Sequence, residues 1–139
     1  MKIKEPKYKY QAVMLIDDND LDNFINEKII EASHFSKKIY VNSSAKSALE
    51  FLQNLVTMGG ADLLMYPKVI FIDINMPIMD GFQFIEYYKK NLEKMINAPK
   101  LVILTSSVYQ EDKYKAMAIS EDIIFLNKPL TKILLEKVY

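Results

Sequence analysis

The chain has 139 residues, 50% of them hydrophobic, with 18 Lys+Arg against 18 Asp+Glu, no cysteine and one histidine. Length and apolar content fit one domain with a real core, and the balanced charge argues against a protein built mainly to bind nucleic acid or an anionic membrane. Without cysteine there are no disulfides or thiolate metal sites, and His34 alone builds no histidine-rich zinc site.

In chain order, Lys2, Lys4, Lys7 and Lys9 mark residues 1–9 as a solvated N-terminal tail, leaving residues 10–139 as the domain. No long apolar region of the signal-peptide kind follows. No stretch approaches the roughly 20 apolar residues that span a bilayer, so a soluble cytoplasmic protein is expected. Residues 11–16 form the first apolar run. Leu21, Phe24, Ile25 and Ile29 then follow helical spacing. Residues 38–41 read as a short second strand. Ser43 and Ser44 can cap a helix with Ala45, Ala48, Leu49 and Leu52 on one face. Gly59 and Gly60 open a loop running to Pro67. Residues 69–73 form the third strand. Asp80 can cap a helix to about Lys94, with Phe84, Ile85 and Tyr88 inward. Residues 100–105 form the fourth strand, and Ser107 with Gln110 gives a capping-box pattern before a helix to about Ile119. Residues 122–126 form the fifth strand and residues 130–138 a short last helix.

Strand and helix alternate throughout. This predicts an α/β fold, a doubly wound five-stranded parallel sheet with right-handed crossovers and helices on both faces. Val69-Ile70-Phe71-Ile72 and Leu101-Val102-Ile103-Leu104 are continuously apolar, as strands buried on both faces should be. Ligands of such sheets bind at the carboxyl ends of the strands. The polar residues at those ends are Asp17-Asp18, Asp73, Thr105-Ser106 and Asn127-Lys128-Pro129. Three clustered carboxylates repel one another, and a divalent cation relieves the repulsion. Oxygen-only ligands favour a hard ion such as Mg²⁺, which keeps waters and room for a phosphate oxygen. With the Lys128 ammonium and the Thr105 hydroxyl added, the set suits phosphoryl transfer to a nucleophilic aspartate.

Taken together, Leu15-Ile16-Asp17-Asp18, Ile72-Asp73-Ile74-Asn75-Met76-Pro77-Ile78-Met79-Asp80-Gly81, Ile103-Leu104-Thr105-Ser106 and Lys128-Pro129-Leu130 resemble the receiver domain of two-component response regulators. The motifs run from about Ala12 to the C-terminus. The resemblance implies a CheY-like, flavodoxin-like sheet of order 2-1-3-4-5. It implies Asp73 as phosphoacceptor, Asp18 as a direct and Asp17 as a mainly water-mediated Mg²⁺ ligand, and Asn75 as the donor of a backbone carbonyl to the metal. Thr105 would bond the phosphoryl group and move with it, Lys128 would pair with Asp73 or its phosphate, and Lys128-Pro129 would be cis. Phe125 stands at the switch-aromatic position, where tyrosine is common. The Ala118-Ile119-Ser120-Glu121-Asp122 loop replaces the usual Gly-Ala turn, and the segment from Gly59 to Tyr66 is longer than usual.

The expected function is a stand-alone response regulator. It would catalyse only its own phosphotransfer and autodephosphorylation. Its donor would be a histidine kinase or histidine phosphotransfer protein, and its reader an unidentified downstream protein, with no nucleic acid or membrane partner. Tyr109, Tyr114 and Met117 are either a partner patch or ordinary helix residues. His34, Tyr87 and Tyr88 are assigned to surface or packing. A haloacid-dehalogenase-like phosphatase would carry its acid two residues after the nucleophile, where Asn75 stands. The glycines at positions 59, 60 and 81 form no P-loop or dinucleotide fingerprint. The remaining alternative is a receiver-like module that binds partners without phosphorylation.

Overall fold

The computed structural model describes residues 6–93 and 99–139. Five parallel strands, β1 (Tyr10–Ile16), β2 (Ser36–Asn42), β3 (Val69–Ile72), β4 (Lys100–Thr105) and β5 (Ile124–Asn127), form one sheet of order β2-β1-β3-β4-β5. The order reverses between β1 and β3, which pair through Met14–Ile70, Leu15–Phe71 and Ile16–Ile72. The strand ends carrying Asp17 and Asp73 therefore lie side by side, with the end of β4 next to β3.

The helices are α1 (Asp20–Ala32), α2 (Ala45–Met58), α3 (Gly81–Asn91), α4 (Gln110–Ile119) and α5 (Lys132–Glu136). Strand side chains alternate between faces and divide the core in two. Val13, Leu15, Val69, Phe71, Val102 and Leu104 pack with Ile30 of α1 and Leu135 of α5. Met14, Ile16, Ile70, Ile72, Leu101 and Ile103 pack with α2, α3 and α4 through residues such as Leu52, Phe84, Ile85, Tyr88 and Ala116. On this second side the buried Tyr66 and Tyr88 hydroxyls meet at 2.8 Å.

Most helix starts follow local chemistry. Asn19 accepts from the Asp22 N–H, Ser44 from Ser47, and Thr131 from Leu134. Asp80 and Gln83 form a reciprocal capping box on α3. Ser107 does not cap α4 as its sequence pattern predicts. The helix begins after Tyr109 with no side-chain cap; the Ser107 hydroxyl donates to the Asp112 carboxylate and accepts from the Tyr109 N–H at 3.3 Å, one turn early for a cap at the observed start. The segment after Gly59 is a 3₁₀ helix, Gly60–Met65, rather than an open loop. The fifth strand starts two residues later than expected, and the last helix is shorter at both ends. α3 ends at Asn91, with Leu92 as its C-cap, short of the expected end near Lys94; Lys94 itself, like the tail lysines Lys2 and Lys4, lies outside the described residues.

The apolar face of α1 is the largest departure. Leu21, Phe24 and Ile25 are 66%, 57% and 40% exposed, while Asn23, Asn26 and Ile30 point inward. The reason lies at the end of β1. Asp17 is buried there, and its backbone carbonyl accepts a 2.8 Å hydrogen bond from the Asn23 amide. An unpaired buried carbonyl is costly. Satisfying it turns the asparagines inward and the apolar residues outward.

Candidate phosphoryl-acceptor site

Asp17 and Asp73 each follow the last residue of a buried strand, and both are themselves buried. Asp18 is exposed beside them. One carboxylate oxygen from each of Asp17, Asp18 and Asp73 lies within 4.8 Å of the others. Lys128, just after β5, reaches back across the sheet end. Its Nζ is 2.5 Å from Asp17 Oδ2, 2.9 Å from Asp22 Oδ2 and 3.7 Å from Asp73 Oδ2. The Lys128-Pro129 peptide bond is cis, and the Lys128 N–H donates to the Thr105 carbonyl at 2.8 Å.

Burial raises the Asp73 pKa above the usual carboxylate value. The Lys128 charge opposes this, the Asp17 charge adds to it, and the nearby Thr105 hydroxyl and Ile74 amide lower it. Burial alone would lower Lys128. Its bonds to Asp17 and Asp22 and the charge of Asp73 more than reverse that, so its pKa is raised. The lysine therefore stays charged throughout the neutral range.

Asp73 Oδ1 is buried with no hydrogen-bond partner. A buried carboxylate oxygen is rarely left so, and it belongs to one of the three carboxylates that converge at the strand ends. Thr105 is fully buried, and its Oγ1 accepts from the Ser107 N–H at 3.1 Å. That leaves the hydroxyl proton to donate. Asn75 is exposed, two residues beyond Asp73 in the β3–α3 loop. The loop is held by Gly81, whose N–H donates to the Ile74 carbonyl at 2.9 Å. A Cβ on Gly81 would lie 2.4 Å from the Asp73 carbonyl oxygen and 3.0 Å from Ile74 Cα. Ile78 in the same loop is fully exposed with φ of 72°, a conformation costly for a β-branched residue.

Thus Asp17, Asp18, Asp73, Thr105 and Lys128 gather at one sheet edge, with Asn75 on the adjoining loop. Oxygen donors of this kind suit Mg²⁺, and the partnerless Asp73 oxygen fits a ligand role. Phe125 is half-buried against the α2–α4 side of the core. It also lines a cleft of about 160 Å³ with Val108, Tyr109 and Lys113. Tyr109, Tyr114 and Met117 are all exposed. His34 is exposed at the end of α1, at the opposite edge of the sheet, with its ring 5.6 Å from that of Tyr8. Of the neighbouring tyrosines, Tyr88 is core and Tyr87 is exposed.

Asp22 is the site residue that the sequence does not announce. Three places after a capping asparagine, an aspartate reads as an acid in the first helical turn. Only the reach of Lys128 from a distant strand reveals its partner.

Comparison with known proteins places these observations among relatives. The family model described as "Response regulator receiver domain" matches residues 13–139. A hybrid signal transduction histidine kinase L from Dictyostelium discoideum is 28% identical over 93% of this chain, and the response regulator Rcp1 from Synechocystis is 22% identical over 73% of it. The chain spans 7% of the first relative and 66% of the second. Among solved structures, a two-component response regulator from Cytophaga hutchinsonii is 34% identical with a TM-score of 0.82, covering 94% of both chains. The receiver domain of the histidine kinase CKI1 from Arabidopsis thaliana, solved with Mg²⁺ and BeF₃⁻, superposes with a TM-score of 0.73 at 20% identity. It covers 92% of this chain and 86% of its own.

Proposed function

Because the chain belongs to the response regulator receiver domain family of two-component signalling, we propose that it accepts a phosphoryl group on Asp73 and in turn switches a protein-binding surface. The observation that carries this reading is the buried Asp73 carboxylate, one of its oxygens without a partner, set among Asp17, Asp18, Lys128 and Thr105 at one sheet edge.

An Asp73 carboxylate oxygen attacks the phosphorus of a phosphohistidine. The P–N bond breaks, the imidazole leaves with the electron pair, and an acyl phosphate forms. Burial removes water from the nucleophile and strengthens every charge interaction around it. Lys128 offsets the charge on the transferred group. Thr105 donates its hydroxyl proton to a phosphoryl oxygen, and its backbone carbonyl ties this movement to Lys128. Magnesium, when bound, would offset the repulsion of the carboxylates and the incoming group, held by Asp17, Asp18, Asp73 and the Asn75 backbone carbonyl. Attack of water on the phosphorus later releases inorganic phosphate and restores the carboxylate. The chain acts on no separate substrate.

A donor must place its phosphohistidine at Asp73, so it must cover the rim where α1 begins. The exposed Leu21, Phe24 and Ile25 supply an apolar surface there for a histidine kinase or phosphotransfer protein. On the other side, inward movement of Thr105 and Phe125 reshapes the cleft under Val108 and Tyr109 and the exposed face of α4, which a downstream protein reads. Residues 1–9 are read as a tail to the domain at 10–139, and the compartment as the cytoplasm. Among the described residues no helix is long and apolar enough to cross a membrane.

The test is intact-protein mass after incubation with acetyl phosphate and Mg²⁺. One added phosphoryl group that requires Mg²⁺ and is absent in Asp73→Asn is expected. An adduct that persists in Asp73→Asn would overturn the assignment.

A further inference from the structure

Lys128 has more carboxylate partners than phosphoryl acceptance needs. Its shortest contacts are to Asp17 and Asp22, and the acceptor Asp73 is the most distant of the three at 3.7 Å. Asp22 comes from α1 and stands outside the trio whose oxygens converge. Its side chain is 37% exposed, against 10% for Lys128.

The local geometry explains why its carboxylate is available. As the third residue of α1, Asp22 would ordinarily reach back to the N–H of the capping residue. That N–H, on Asn19, already donates to Asp17 Oδ1 at 2.9 Å. The Asp22 N–H in turn donates to Asn19 Oδ1 at 2.9 Å. The backbone of the turn is thus closed without the Asp22 carboxylate, which points instead to an ammonium 106 residues away in sequence.

We propose that Asp22 is a positioning residue that holds Lys128 on the α1 side of the site, in competition with the phosphoryl group on Asp73. The inference rests on the receiver reading above. In the resting site Lys128 lies between Asp17 and Asp22. A cation taken up by Asp17 weakens that residue's hold on the ammonium and leaves Asp22 as its anchor. When an anion sits on Asp73, Lys128 must loosen from Asp22 to meet it. Asp22 therefore lowers the affinity of the site for a phosphoryl-like anion and opposes the switched state.

The experiment is a double-mutant cycle on beryllofluoride binding in the presence of Mg²⁺, followed by NMR shifts of the backbone amides, with the folded state of each variant checked by its thermal transition. The proteins are wild type, Asp22→Asn, Lys128→Met and the double variant. Asp22→Asn is expected to bind beryllofluoride about three- to tenfold more tightly, the usual range for a partly exposed charge-assisted bond. In the Lys128→Met background the same change should have less than about a twofold effect. An equal gain in both backgrounds would mean that Asp22 acts only through its own charge, and would overturn the proposal. So would unchanged affinity in Asp22→Asn. A helix-terminal role alone would lower the thermal transition without tightening the anion. If wild type itself binds no beryllofluoride, the receiver reading fails, and that outcome is distinct from either of the others.

Discussion

Replacing Gly81 with alanine tests whether the close approach of α3 to β3 sets the position of Asp73, the proposed phosphoacceptor. The added Cβ would lie 2.4 Å from the Asp73 carbonyl oxygen, 3.0 Å from its carbonyl carbon and 3.0 Å from Ile74 Cα. All three are backbone atoms, so no rotamer change relieves the clash. Restoring an ordinary contact requires α3 and the end of β3 to separate by about 1 Å, and that movement strains the 2.9 Å bond from the Gly81 N–H to the Ile74 carbonyl. Overpacking of this kind costs about 1–3 kcal/mol, and the strained bond adds about 1 kcal/mol. Alanine regains at most about 1 kcal/mol in helix propensity, less at the first residue of a helix. The expected net loss is about 2 kcal/mol by urea unfolding. A misplacement of about 1 Å at a nucleophile can cost on the order of 100-fold in rate, so acetyl-phosphate labelling should slow by one to two orders of magnitude. Gly60→Ala is the control. No heavy atom lies within 4 Å of its added Cβ, but φ is 59°, so about 1 kcal/mol should be lost with labelling unchanged. Wild-type stability together with a wild-type labelling rate in Gly81→Ala would refute the steric argument.

The raised pKa of Asp73 predicts a pH-dependent gain from Asp73→Asn. Because the folded pKa exceeds the unfolded value, the native state holds more protons in the window between them, and this group costs stability as pH rises from the unfolded value through the folded one. Without Mg²⁺, the variant should be more stable than wild type at pH 7.5, by about 1 kcal/mol, and the advantage should vanish below the unfolded pKa. A constant or inverted difference in thermal midpoint across pH would count against this. The buried Tyr66–Tyr88 pair gives a third prediction. Tyr66→Phe alone strands the Tyr88 hydroxyl and should cost about 1–3 kcal/mol, whereas the double change to phenylalanine should recover a large part of that loss in a denaturant series.

The sheet and the site were legible for different reasons. The continuous apolar runs of β3 and β4 matched strands buried on both faces, and polar residues at successive strand ends marked the edge where the candidate site gathers, without any knowledge of side-chain positions. The order of the strands came from the family resemblance and was then observed. Local chemistry also read well at Ser44 and Asp80, where cap and helix lie within a few residues of each other. Failure came where distant groups compete for a local one. The inward face of α1 is decided by the Asp17 carbonyl, a demand invisible in the spacing of Leu21, Phe24 and Ile25. At the start of α4 the Ser107 hydroxyl bonds the Tyr109 N–H and the Asp112 carboxylate ahead of the first helical residue, Gln110. The role of the Asp22 carboxylate depends on Lys128.

The division of the core by the sheet has a consequence for how such a chain can change over generations. The rim proposed for donor docking belongs to α1, packed with α5 on one side, while α4 and Phe125 belong to the packing on the other. Between them stand the central strands β1, β3 and β4, whose own residues are mostly buried. A substitution that repacks one side is shielded from the other, except at the strand ends where Asp73, Thr105 and Lys128 meet. On the proposed function, the choice of upstream donor and the choice of downstream reader can therefore drift separately, and only the small polar edge joining them has to stay the same.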